Sequence, residues 1–268
     1  MKNKISLLPG SRIITIALSV LLLISSIVSG QTLEDINWYT EEYPPYNYLE
    51  NDTPKGLSID ILVAMWKKAG LSRNVKDIKV VPWSRGLEKI KTIPGTCLFT
   101  TTITAERKAV FGWKFVYPAP QISEASSNHL VARKSSEIKF NSIDDIKKYK
   151  KNFGVVKDDI GAVFLTDAGI DESKLNNTLS AAFLVQTLHK GRHDIVSYDF
   201  AAIVFQMKAA GINPADYEVV YTFPKKPVGF AFHHTTSPEI IKKLQKALDD
   251  LYLNGTIETI LKRYTQKQ

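Results

Sequence analysis

The chain of 268 residues carries one cysteine, five histidines and three methionines. A lone thiol, Cys97, excludes an intramolecular disulfide and a cysteine-ligated zinc site by count. In the apolar run "TCLFT" it reads as a small buried hydrophobe. The histidines lack ligand spacing: His129, His189 and His193 stand apart, and His233-His234 end an expected strand, where adjacent side chains face opposite ways. No metal and no cofactor is expected. Gly-x-Ser-x-Gly, His-Glu-x-x-His, a Walker loop and Gly-x-Gly-x-x-Gly are all absent, which removes the common hydrolase, protease and nucleotide-binding signatures.

A bilayer-spanning run is missing too. Ile13 to Val28 is apolar but broken by small polar residues and falls short of the roughly 20 residues a span needs. With Lys2, Lys4 and Arg12 before or within it and Val28-Ser29-Gly30 after it, residues 1–30 read as an export signal cleaved before Gln31. No cysteine follows that site, which disfavours a lipid anchor, so a free protein in a periplasm or an extracellular space is expected. Loss of those three basic residues takes the formal charge from +8 to +5. The lysines spread over helix surfaces, as in "IDDIKKYKKN", and no motif suggests nucleic acid.

What is present is a strand–helix rhythm. "DINWYT", "DIKVVPW" and "TCLFTTT" alternate with "SIDILVAMWKKAG" and "SRGLEKIK". In the first helix Ile59, Leu62, Met65, Trp66 and Ala69 share one 3.6-residue face, with Ser58 as N-cap and Gly70 as stop. Such alternation predicts an α/β fold with mainly parallel sheets flanked by helices.

The rhythm pauses at "VYPAPQISEASSNHLVARKSSEIKFN". It restarts with Ser142 capping a helix, the strand "NFGVVKD", the helix "AAFLVQTLHKG", the strand "HDIVSYD" and the helix "FAAIVFQMKAAG". After "YTFPKKPVG" come the strand "GFAFHH" and two terminal helices, opened at Ser237-Pro238 and interrupted at Asn254-Gly255. Two lobes joined by two crossings, near 119–127 and 222–228, fit this punctuation. Residues 31–121 and 223–268 then form lobe one, and 122–222 form lobe two.

Three stretches carry candidate chemistry. In "EEYPPYNYLEND" the prolines make a stiff loop, and Tyr43, Tyr46 and Tyr48 either cover a core edge or wall a site. In "LFTTTITAERKAVFGW" hydroxyl residues leave a strand and meet Arg107 within one turn. That set makes either a carboxylate receptor or a capped helix with a surface ion pair. In "GRHDIVSYDFAAIVF" Asp199 stands where a helix begins, able to cap it, to receive an ammonium group, or both.

The ordered set "YPPYNY", "GLSIDIL", "TTITAER", "FGVVKDD", "GRHDIVSYD" and "LNGTIETILKRY", spread over residues 33–266, resembles bacterial periplasmic solute-binding proteins of family 3. The resemblance implies a two-lobed periplasmic-binding-protein fold of type II that closes by hinge rotation on a small ligand, an amino acid or related amine. It implies aromatic walls from Tyr43, Tyr46 and Trp83, a carboxylate site from Thr100, Thr102 and Arg107, and an ammonium acceptor at Asp199. A departure stands at Lys157-Asp158-Asp159, where relatives usually carry Gly-Thr or Gly-Ser; the acidic pair Asp158-Asp159 there either repels a carboxylate or attracts an extra cation. A monomer serving an inner-membrane ABC permease or a membrane sensor is expected, without catalysis. The same fold also supports a cyclohexadienyl dehydratase, for which Glu41, Glu42 and Asp158 are the available acids.

Overall fold

The computed structural model describes residues 31–117 and 127–265. The expected export segment and most of the expected first crossing lie outside the described residues. β1 (Asn37–Thr40) leads through a tight turn to the hairpin β2 (Tyr48–Glu50) and β3 (Thr53–Lys55), then to α1 (Leu57–Lys68). β4 (Lys79–Val80), α2 (Trp83–Thr92), β5 (Thr96–Thr102), α3 (Ala105–Ala109) and β6 (Lys114–Val116) follow. The second lobe contains β7 (Asn128–Arg133), α4 (Ile143–Lys148), β8 (Phe153–Val156), α5 (Ile160–Asp167) and β9 (Leu175–Thr178). It continues with α6 (Ala181–His189), β10 (Ile195–Asp199), α7 (Phe200–Ala209) and β11 (Tyr217–Thr222). The chain then returns as β12 (Val228–Phe232), α8 (Pro238–Leu253) and α9 (Thr256–Thr265).

Each lobe is built on a five-stranded sheet, ordered β4-β1-β5-β12-β6 in one and β11-β7-β10-β8-β9 in the other. Both are mixed. In the first, only β12 runs against the other strands; in the second, only β7 does. These are the first strands after each crossing. The chain leaves a sheet at the carboxyl ends of its parallel strands, so it enters the other sheet from the same side and its first strand there must run in reverse. Both sets of strand carboxyl ends therefore face one another across the gap, where open α/β sheets place ligands.

The predicted face of α1 is buried: Ile59, Leu62, Met65 and Trp66 are each 2% exposed or less. They pack around Trp38, whose ring meets Trp66 and Phe232 edge-on at 5.3 and 5.9 Å. Each such burial contributes about 1.5–3 kcal/mol. Cys97 is fully buried among them, and burial pushes its thiol well up, so it is an inert core residue.

The structure corrects several local expectations. Gly56, not Ser58, precedes the first turn of α1. The strand expected over "DIKVVPW" contracts to Lys79–Val80, because α2 already starts at Trp83. β7 lies inside the segment read as a pause, and it pairs with both β10 and β11. The two adjacent histidines do not face opposite ways: β12 ends at Phe232, and in the following turn their rings approach to 4.1 Å.

Candidate functional site in the interlobe cleft

Glu41 follows the carboxyl end of β1, and the aromatic loop is closed behind it. Tyr43 N donates to Asn47 O at 2.7 Å, Tyr46 N to Tyr43 O at 2.9 Å, and Asn47 Nδ2 to Glu41 O at 2.6 Å. A cis peptide joins Pro44 and Pro45. The amino end of α1 clamps this loop through Leu57 N to Pro45 O (3.2 Å) and Ser58 N to Tyr46 O (2.8 Å). Gly56 makes that approach possible: at φ +121° it lies where any Cβ would overlap the Tyr46 carbonyl oxygen. The Tyr43 and Tyr46 rings stand 5.0 Å apart.

On the neighbouring strand β5, pairing with β12 slips between Phe99 and Thr101, leaving Thr100 as an extra residue at φ +57°. A β-branched side chain there is strained, a feature that concentrates at functional sites. The Thr100 hydroxyl is buried without a hydrogen-bond partner. Thr104 caps α3 by accepting from Arg107 N at 3.1 Å, and the Arg107 guanidinium folds back to donate to Thr102 O at 2.5 Å. Its guanidinium carbon lies over two indoles, 5.3 Å from the Trp83 ring and 5.9 Å from the Trp113 ring. Burial pushes Arg107 down to about 10, against the opposing pull of Asp159, Glu106 and Glu41, so it stays a cation at neutral pH.

From lobe two, Asp199 ends β10 and caps α7. It accepts from Ala202 N at 2.9 Å and Ser127 N at 3.1 Å, and from the Tyr46 hydroxyl across the gap. At 2% exposure, burial outweighs these bonds and pushes its carboxyl up to about 6. Tyr198, beside it, is 1% exposed; its ring meets Tyr43 edge-on at 5.3 Å, and its hydroxyl has no hydrogen-bond partner.

The loop after β8 divides its two acids. Asp158 adopts φ +61°, leaving its side chain in solvent while its carbonyl accepts from Trp83 Nε1 at 2.7 Å. Asp159 turns inward, buried at the amino end of α5. Burial raises its carboxyl, while the Ile160 and Gly161 N–H groups and Arg107 oppose the rise. Glu41, half-buried, is pushed well above the carboxylate range, first by desolvation and then by the charge of Asp159.

The cleft thus gathers Tyr43, Tyr46, Trp83, Thr100, Thr102 and Arg107 on one wall and Asp199 on the other. The Asp158 carboxylate is not among them; its neighbour Asp159 takes the inward position. Sequence reasoning did not single out Tyr198 or Trp113, took Asp158 and Asp159 as a pair without separating their roles, and weighed Glu41 only as a catalytic acid. An adjoining groove of about 710 Å³ runs between the lobes, lined by Ser84, Leu87 and Arg107 on one side and Asp158, Asp159 and Ala162 on the other. Among the described residues no group of three or more His, Cys, Asp or Glu is placed to hold a metal ion, and no helix is long and apolar enough to cross a membrane. Chemically the site offers three inward carboxylates, one stacked guanidinium and two unpaired hydroxyls.

Two lobes with facing strand ends and a polar, aromatic-walled cleft between them are the architecture of a two-lobed binding protein. Residues 36–267 match the model of the bacterial extracellular solute-binding proteins, family 3, and the chain belongs to that family. It is similar to the arginine-binding extracellular protein ArtP of Bacillus subtilis (strain 168), 26% identical over 230 residues that make up 83% of this chain and 82% of the relative. Among solved structures it resembles an ancestral arginine-binding protein bound to arginine, with a TM-score of 0.69 at 22% identity, over 87% of this chain and 99% of the other. It also resembles a histidine kinase sensor domain similar to periplasmic binding proteins, with a TM-score of 0.70 at 16% identity, over 85% and 95%.

Proposed function

We propose that this protein, exported after loss of residues 1–30, captures a small amino acid or related amine by closing its lobes and presents it to a membrane importer of the ABC type. Residues 31–121 with 223–268, and residues 122–222, are the two bodies that move. The observation that carries the reading is the placement of Asp199 at the cleft face of lobe two, bonded to Tyr46 of lobe one. Asp199 accepts from the Ala202, Ser127 and Ala201 N–H groups and from the Tyr46 hydroxyl, which fix the carboxylate at the cleft face, where its charge draws an ammonium group. Arg107 has five donors and spends one on Thr102, so it has donors left for a carboxylate where the ligand carries one. Tyr43, Tyr46 and Trp83 wall the space between. A ligand touching both walls stabilises the closed state by what it contacts only there.

Support comes from family membership and from the arginine-binding relatives. Binding without turnover is the reading, since each inward acid has a role in holding charge. The test is thermal unfolding of ligand-stripped protein with a panel of amino acids and amines. A ligand at a hundred times its Kd adds about 2.7 kcal/mol, a rise of roughly 5–10 °C for a chain of this size. That rise is expected with one ligand class and is expected to vanish in Asp199→Asn. No rise across the panel overturns the reading.

A further inference from the structure

The inward ionisable groups of the cleft are uneven in number. Arg107 is one cation; Glu41, Asp159 and Asp199 are three acids. Asp159 projects from the loop that Trp83 grips through the Asp158 carbonyl, and the face of the same indole carries the Arg107 guanidinium. Asp159 therefore faces Arg107 from the opposite lobe, in the place where a ligand carboxylate would need a neutral donor. Glu41 enters from β1: Thr40 Oγ1 donates to Phe99 O at 3.4 Å, which sets Glu41 beside Thr100 on the adjacent strand end. Tyr198, fully buried, turns its unpaired hydroxyl toward these groups, with Glu41, Asp159, Tyr43 and Asp199 around it. A buried hydroxyl without a partner is costly unless something arrives to pair with it.

We propose that Glu41 and Asp159, with the Tyr198 hydroxyl, form a cation-accepting subsite, and that the ligand is a net-positive amine carrying no free carboxylate. The inference rests on the binding reading above and names its ligand class. Asp159 and Arg107 act on each other's charge across the gap, so a ligand carboxylate drawn to the free donors of Arg107 also meets the like charge of Asp159. A second ammonium or guanidinium group meets two acids and a hydroxyl. The groups facing Glu41 are Asp159, Arg107 and Glu42, and the cation facing Asp159 is Arg107. A cation seated between the two acids holds both ionised, so its binding releases protons.

Matched probe pairs test this by isothermal titration: agmatine against L-arginine and cadaverine against L-lysine, with L-glutamine as the neutral control. The decarboxylated member of each pair is expected to bind at least tenfold tighter than its amino acid, and glutamine at least a hundredfold weaker. Near pH 6.5, heats in two buffers of different ionisation enthalpy are expected to show proton release. Asp159→Asn should shift preference toward the amino acid by tenfold or more, and Glu41→Gln should weaken the amine and reduce the protons released. Tighter binding of either amino acid than of its amine, or equal binding of glutamine, overturns the subsite while the receptor reading stands. No binding of any probe overturns both.

Discussion

The edge of one indole ties the two lobes together: Trp83 Nε1 donates to the Asp158 carbonyl at 2.7 Å, while the face of the same ring carries Arg107 at 5.3 Å. Trp83 thereby links lobe closure to the position of the site's cation. Tyr43 against Tyr198 and Tyr46 on Asp199 are further contacts across the same gap.

Trp83→Phe removes the edge donor and keeps an aromatic face. A hydrogen bond of this kind contributes about 1 kcal/mol, so the closed form should lose roughly fivefold in population relative to the open one. Ligand dissociation measured by stopped flow should quicken by a similar factor, and small-angle scattering should show a larger free protein. An unchanged dissociation rate removes the latch role.

Asp199 gives a pH prediction with a definite sign. Its carboxyl is held up at about 6 in the folded protein, against an ordinary value near 4 in an unfolded chain. The folded state therefore holds this proton more tightly; the associated stability is complete below about pH 4 and is lost as pH rises through 6. The loss is at most about 3 kcal/mol. Asp199→Asn keeps the cap acceptor for Ala202 N and cannot ionise. The difference in Tm between variant and parent, followed from pH 4.5 to 7.5, should grow in favour of the variant. A constant difference refutes the assignment.

How much of this was legible in the sequence depended on what fixes each feature. The α1 face followed from its 3.6-residue period, and Arg107 followed from its place after "TTITAE". β7 was hidden because a strand covered on both faces shows no alternation, and its Ser-rich flanks resemble a linker. Which acid of "KDD" turns inward was illegible: the left-handed backbone at Asp158 decides it, and Asp is among the few residues besides Gly that visit that region, so either acid could take it. The partnerless Tyr198 hydroxyl arises only when two lobes meet, and no local pattern encodes it.

Thr100 tests whether strain is stored for the ligand. At φ +57° its β-branched side chain costs on the order of 1–3 kcal/mol, and its buried hydroxyl has no hydrogen-bond partner. Thr100→Gly relieves both and adds a smaller entropic cost, roughly 0.5–1 kcal/mol. The free variant should unfold at a higher temperature than the parent, by about 1 kcal/mol of stability, yet bind ligand several-fold more weakly. A lower Tm would show that the bulge is unstrained.

Gly56 touches no ligand, and its substitution should still reach the site. At φ +121° a Cβ there overlaps the Tyr46 carbonyl, so Gly56→Ala must move either the start of α1 or the aromatic loop. Forced overlap of this kind costs about 1–3 kcal/mol. Gly70 is the control: its φ is also positive, at +76°, but a Cβ there meets nothing within 4 Å. Gly70→Ala should therefore lower Tm only by its backbone strain and leave affinity alone. Gly56→Ala should lower Tm further and weaken ligand binding, because Tyr43 and Tyr46 shift with the loop. Equal effects of the two substitutions on affinity would mean that the clamp between α1 and the loop does not position the cleft wall.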